Sequence, residues 1–510
     1  MLVSNHKKMK KISQINILIG CFALLMVSCK KNYQELNQNP NAVAVAAPER
    51  LLNPALYSVV QNNIVRSFQI NNQLSQVFVP LNEQVEIHRY IIRPNQSDPI
   101  WNAWYLEKTN FLDMYNLAAA NHSATTGQSE PYMAIANILD AWTTSLITDT
   151  WGDVPYSQSN KGKDYQFTPA FDKQEDIYKD IFRKLEEANI LLNGLLSAQL
   201  FTENQKGLDA LYGSSATNLI ELDRWRKFGN SLYLRLLMRV SAKTETIADG
   251  KTAVQKIADI VASPTTYPIF TSNAESAILR LTGENFPLRS PFAGYRDVDF
   301  SGTGSLSEFF VNTLAEAGDP RLAIWATKID NEYKGIQSGY ADGSIPARGS
   351  SYVTALKLEP LLGNIMNYAE LQFILAEAAL KGYITGNPKT YYDLGVKAGI
   401  EHWGLTMPAN YLTTNAEVAF PDAGTFDEKM EKIMIQKYFT LFFTDFQQWF
   451  EYRRTKKPTL PIGPGAKNGG EMPSRLYYPV TVQSLNRSNY LDAATRMGGD
   501  NLSVKVWWQK

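Results

Sequence analysis

The sequence predicts a large, mostly α-helical chain carrying one long loop-rich insertion, and three observations lead there. Apolar residues recur at spacings of three and four through most of the chain, the pattern of helices that bury one face. Seven prolines (Pro264, Pro268, Pro287, Pro291, Pro320, Pro346, Pro360) and frequent glycines break that pattern between 264 and 360. The chain has 510 residues, 44 % hydrophobic and 12 % aromatic, enough to bury a core without metal or disulfide staples. Its 50 basic and 50 acidic side chains cancel, which argues against a nucleic-acid partner, since such binders carry a basic excess. A charged fraction of 20 % beside so many aromatics also excludes a disordered chain.

The elements follow in order. Lys7, Lys8, Lys10 and Lys11 precede an almost wholly apolar stretch, Ile15 to Val27, and then Ser28-Cys29. A basic start, a short apolar stretch and a small residue describe an export signal. The stretch is well short of the roughly 20 residues that span a bilayer. Ser28-Cys29 resembles a bacterial lipobox, so residues 1–28 read as a cleaved lipoprotein signal and Cys29 as the acylated residue. Cys21 leaves with the signal, so the mature chain keeps one cysteine and no internal disulfide. Cleavage removes four lysines and no acid, leaving a slightly acidic chain, and no later segment is apolar enough to cross a membrane.

From about 48 to 260 the pattern is helical. Asp172 and Glu175 suit a capping box ahead of Ile177, Ile181, Leu185, Ala188, Leu192 and Leu195. Leu232, Leu236, Leu237 and Val240 repeat the spacing, with Arg235 and Arg239 on the other face. Segments near 101–121 and 131–148 also read as helices. After the insertion, helices return at Tyr368 to Ala378 and at Met430 to Phe442. The tail carries a Gly/Pro loop from Gly463 to Gly470 and irregular aromatic-rich chain. No linker marks a cut, so residues 29–510 read as a single domain with its insertion at about 264–360.

Four stretches carry a resemblance: Asn37-Gln38-Asn39-Pro40-Asn41; Asp149-Thr150-Trp151-Gly152-Asp153-Val154-Pro155-Tyr156; Asn367-Tyr368-Ala369-Glu370 with Ala376-Glu377-Ala378; and Phe446 to Arg454 leading to Arg475-Leu476-Tyr477-Tyr478-Pro479. In this order the chain resembles the SusD/RagB family of outer-membrane nutrient-binding lipoproteins, in its SusD-like branch from Bacteroidetes-type bacteria. The resemblance implies an all-α fold of tetratricopeptide-like helix pairs, with a loop-rich half draped over them. It also implies a lipid-anchored, surface-exposed protein. Such a protein captures an oligosaccharide, or a peptide, and delivers it to a partner TonB-dependent outer-membrane transporter of the SusC type.

The residues themselves offer little catalysis. His6 falls in the leader, and His88, His122 and His402 lack metal-ligand spacing. No G-x-S-x-G elbow or phosphate loop is present, so no catalytic residue and no cofactor is expected. Glu370 and Glu377 share a helical face and would be the carboxylates of a helical glycosidase, but helix packing is the favoured reading. Asp297, Asp299, Ser301, Gly302 and Glu308 match a calcium-loop spacing; a turn whose Glu308 opens a short helix is favoured over it.

Sugar capture needs flat apolar faces and forked donors or acids in loops. Trp101 and Trp104, opening a helix after the Pro94–Pro99 loop, and Arg289, Tyr295, Asp297 and Asp299 in the insertion are the candidate ligand residues. Phe292, Arg296, Tyr340 and Tyr352 lie nearby. For each aromatic the alternative is packing of its loop onto the helices. Four readings stay open: a glycan-binding member of the family, a peptide-binding member, a helical glycosidase and a protein-gripping scaffold.

Overall fold

Apolar stripes and side-chain caps together set where the helices of this chain begin and how they pack. The computed structural model describes residues 47–510 apart from 122–129, 196–208 and 214–217. The leader, Cys29, Asn37 to Asn41 and His122 therefore lie outside the described residues. Six helices come first: α1 (Pro48–Arg66), α2 (Asp98–Asn121), α3 (Glu130–Trp151), α4 (Gln174–Leu195), α5 (Asn218–Arg239) and α6 (Ala253–Ala262). Each packs on the next. α3 is buried on every side along almost its whole length.

The loop-rich insertion follows, with α7 (Glu308–Glu316) as its longest helix. Beyond it come α8 (Tyr368–Leu380), α9 (Pro388–Glu401), α10 (Phe426–Thr440), α11 (Gln447–Thr455) and α12 (Arg487–Met497). α8 packs on α9 and α10 and also on α5, which joins the two helical halves. Residues 47–510 thus cluster as one compact unit with an all-α framework.

Local chemistry explains the starts. Thr425 and Glu428 close a capping box on α10: the Thr425 N–H donates to Glu428 Oε2 at 2.7 Å, and the Glu428 N–H donates to Thr425 Oγ1 at 3.3 Å. Asn367 Oδ1 accepts the Glu370 N–H of α8 at 2.8 Å. Ser307 Oγ accepts the Phe310 N–H at 3.1 Å, so Glu308 does open a short helix.

One sequence expectation needs correction. Asp172 does not cap α4. Its carboxylate turns back to accept the N–H groups of Tyr156 and Ser157, each at 2.9 Å, and Asp153 takes the Gln174 N–H instead. A turn two residues wide competes better for Asp172 than the helix that starts after it. Arg235 and Arg239 lie on the other face of α5, and that face is covered too. Both are fully buried, because α5 is packed on its second face by α8 and α11 residues that carry matching acids.

Strands are few. Phe78–Pro80 pairs antiparallel with Gly304–Leu306, tying the segment after α1 to the insertion. Glycine is required at 304, since a Cβ there would stand 2.4 Å from the Val79 oxygen. His88 makes a second tie. Its Nδ1 accepts the Gly339 N–H at 3.2 Å and its ring lies 4.7 Å from that of Tyr340.

Burial first, and the neighbouring Arg89 second, push the His88 pKa down to about 4. The unfolded chain binds this proton near pH 6.5, so between 6.5 and 4 it holds more protons than the folded one. Stability is therefore lost as pH falls through that window, by about 3 kcal/mol from this group alone. Urea midpoints measured from pH 7 to 4 should fall accordingly, and His88→Gln should flatten part of that fall.

Candidate functional site: a groove beside the π-helical turn

At its C-terminal end α1 widens into one π-helical turn, Ser67–Asn71. Such turns carry one residue more than the α-helical repeat, re-aim the side chains they hold, and recur at functional sites. Here the turn presents Phe68, Gln69 and Ile70 to a groove of about 470 Å³. Phe78, Val85, Ile87 and Pro99 complete an apolar floor and wall. Amide groups surround it: Gln69, Gln73, Asn82, Asn95 and Gln96, with Thr303 reaching in from the insertion. Among the described lining residues none is acidic, and Arg66 alone is charged.

The floor is held from below. The half-buried Phe68 ring stacks on Phe300 at 5.5 Å and touches Phe292 at 5.2 Å and Phe78 at 6.0 Å. Tyr352 stacks beneath Phe78 at 4.9 Å. Aromatic contacts of this kind fix ring orientation beyond simple area burial. Polar capacity is left over: Gln73 Nε2 donates to the Gln69 carbonyl at 2.7 Å, while Gln73 Oε1 and Arg66 Nε have no hydrogen-bond partner among the described residues. The surface combines apolar rings with free donors and acceptors and holds no pair of acids. Such a mixture of rings and polar groups suits the binding of a small polar molecule.

The candidate residues read from the sequence divide in the structure. Trp104 is 1 % exposed, and its Nε1 donates to Asn63 Oδ1 at 2.8 Å; it is core and out of reach of a ligand. Trp101 is 7 % exposed and packs edge-on to Trp151 at 5.0 Å. It borders a different hollow of about 300 Å³, with Tyr105, Phe167 and Leu485. The reason is geometric: two helical steps rotate a side chain by about 200°, so Pro99 faces the groove and Trp101 faces away.

None of the insertion candidates is among the described residues that line the groove, and Tyr295 alone is tied to it, through Arg66. Tyr295 meets Phe292 edge-on at 5.4 Å and its phenol acts electrostatically on Arg66. Arg289 sits over the exposed Phe286 ring, and its carbonyl accepts the Tyr57 hydroxyl at 2.6 Å. Asp297 is paired with Lys357 at 2.7 Å and Asp299 with Arg296 at 2.7 Å. These two acids answer different cations. Among the described residues no group of three or more His, Cys, Asp or Glu gathers in one place. Tyr340 and Tyr352 are buried packing residues.

Phe68, Phe78 and Arg66 are the groove residues that sequence reasoning missed. The run Gln69-Ile70-Asn71-Asn72-Gln73 was a partial signal: Gln69 and Gln73 line the groove, while Asn71 and Asn72 are buried and bond Gln448 and Tyr352.

Comparison with known proteins places this geometry. The family model described as "Starch-binding associating with outer membrane", of SusD-like type, matches residues 40–479. A comparison with the curated proteins finds no relative. Among solved structures, one similar chain is a protein of Bacteroides vulgatus assigned to the outer membrane and to nutrient binding, 24 % identical with a TM-score of 0.75 over 91 % of this chain and 100 % of that one. A chitin-binding SusD homologue of Flavobacterium johnsoniae is 21 % identical, with a TM-score of 0.74 over 90 % and 98 % of the two chains. A SusD homologue of Bacteroides fragilis is 24 % identical, with a TM-score of 0.71 over 91 % and 99 %. At these identities the neighbours speak for the fold, while the family match runs from before α1 through the groove to Pro479. The chain is a member of the SusD-like family of binding proteins that associate with the outer membrane.

Proposed function

We propose that this protein is a lipid-anchored, non-enzymatic outer-membrane lipoprotein. It captures an oligosaccharide in the groove beside Phe68 and passes it intact to a partner TonB-dependent transporter. The observation that carries this reading is the groove itself: the half-buried Phe68 ring backed by the buried Phe78 ring in the floor, amides around the rim, and no acid among the described lining residues. Pyranose C–H faces pack on such rings, and amides accept from and donate to sugar hydroxyls.

The family description, which names starch binding and the outer membrane, supports the same reading, as does the chitin-binding relative with the same fold. The export signal ending in Ser28-Cys29 supports the lipid anchor; several acyl chains hold a protein to a bilayer where one is marginal. Glu370 and Glu377, the acids a glycosidase would need, are each closed by a buried arginine.

Calorimetric titration with an oligosaccharide panel and a peptide panel, with product analysis of each mixture, tests the assignment. Saturable binding of a saccharide recovered intact is expected; shortened products would overturn the non-enzymatic reading, and binding of peptides alone would overturn the glycan. Phe68→Ala should weaken that binding by about 1–3 kcal/mol, as removal of stacking aromatics does elsewhere. By contrast, Trp104→Ala should destabilise the fold by about 3–5 kcal/mol and leave binding by the folded fraction intact. Cys29→Ala should release the processed protein from membranes, and a mature-size variant that stays membrane-bound would contradict the anchor.

A further inference from the structure

Arg66 is the one charged residue lining the groove, and it has no carboxylate partner among the described residues. Its Nη1 donates to the neutral Gln69 Oε1 at 2.6 Å, and its Nε is buried without a partner. The arginines on neighbouring segments differ. Arg89 is met by Asp342 at 2.7 Å, Arg93 by Glu86 and Arg296 by Asp299 at 2.7 Å. Arg348, beside Thr303, instead gives its guanidinium to the Gly302 and Gly304 carbonyls, whereas the Arg66 Nε has no partner among the described residues. Burial also lowers the Arg66 pKa from its ordinary value, which marks how far water is held off, although an arginine remains a cation.

An unpaired cation beside an apolar floor is a standing desolvation cost. A ligand anion is the partner that would relieve it, and the guanidinium fork suits the two oxygens of a carboxylate. We infer that the groove selects an acidic oligosaccharide, with Arg66 receiving the negative substituent of a sugar whose ring lies against Phe68. Gln69 and Gln73, about one and two turns on, line the groove and offer amide groups to the hydroxyls next to that substituent. This inference rests on the reading of the groove as a saccharide site.

The test compares short oligomers of galacturonate, glucuronate and mannuronate with their carboxyl-reduced neutral counterparts. A sulfated oligosaccharide and an acidic peptide form further arms. At least one uronate oligomer should bind tenfold or more tightly than its reduced form, with the advantage shrinking as salt is raised. Arg66→Gln should bring that ratio to within about twofold of one, and Arg66→Lys, which keeps the charge but not the fork, should restore part of it. Phe68→Ala should weaken acidic and neutral oligomers alike and keep the ratio. An unchanged thermal midpoint shows that Arg66→Gln is folded.

A ratio near one in the unaltered protein, with binding still dependent on Phe68, would overturn the acidic preference and leave the saccharide groove standing. A ratio that survives Arg66→Gln would do the same. Tenfold preference for the sulfated oligomer over every uronate would move the anion from carboxylate to sulfate ester and overturn the carboxylate assignment. Arg66-dependent binding of the acidic peptide alone, or no Phe68-dependent binding of any saccharide, would overturn the groove reading and this inference with it.

Discussion

Everything in this fold hangs on a network of buried charges at the junction of its two helical halves. Asp149 at the end of α3 accepts from Arg239 at 2.8 Å, from the Tyr178 hydroxyl at 2.7 Å and from Trp508 Nε1 at 2.8 Å. Arg239 continues to Glu451 at 3.1 Å, which also meets Lys437 and Arg454, each at 2.7 Å. Arg454 closes on Glu377 of α8 at 2.6 Å, and Arg235 of α5 grips Glu370 of the same helix through two nitrogens. Burial acts to raise the Glu377 and Glu451 carboxyls, but the facing Arg454 guanidinium holds both well below the usual range. With each charge paired the network replaces water with fixed partners. Loss of any one leaves a buried orphan, a penalty of about 3–5 kcal/mol.

That constraint shapes the function. Glu370 and Glu377 are committed to helix packing, and the described lining of the groove holds rings, amides and one cation. α3, α5, α8 and α11 form a rigid interior, so loops laid over it can be shaped for a ligand without endangering the fold. The aromatic cluster of Phe68, Phe78, Phe292, Phe300 and Tyr352 connects the two layers. Its members come from the π-helical turn, the Phe78–Pro80 strand and the insertion. A ligand resting on Phe68 is thus supported by both halves of the chain.

Much of the framework was legible in the sequence because helices announce themselves by period and caps. Ile177 to Leu192 and Leu371 to Ala378 fall where the spacing predicts, and Glu308 opens its helix behind Ser307. The buried network was not legible, because its partners are far apart in sequence: 90 residues between Asp149 and Arg239, 135 between Arg235 and Glu370. Charges at helical spacing read as a wet face until a partner helix is known. The site failed for a finer reason. Trp101 and Pro99 are close in sequence yet face opposite ways, and the extra residue of the π-helical turn moves Phe68 out of the packing stripe in which a plain helical period would place it. Tyr295 was legible as part of an ordered loop because aromatic residues among prolines mark such loops, and it meets Phe292 edge-on there.

The central claim is that one groove, floored by Phe68 and Phe78, takes an intact saccharide. A crystal structure of the protein soaked with the tightest-binding oligosaccharide tests it most directly. Unbroken sugar density lying on the Phe68 ring, with a substituent at Arg66, is the predicted result. Density in the hollow beside Trp101 and Phe167 with the groove empty, or a cleaved product anywhere on the molecule, would contradict it.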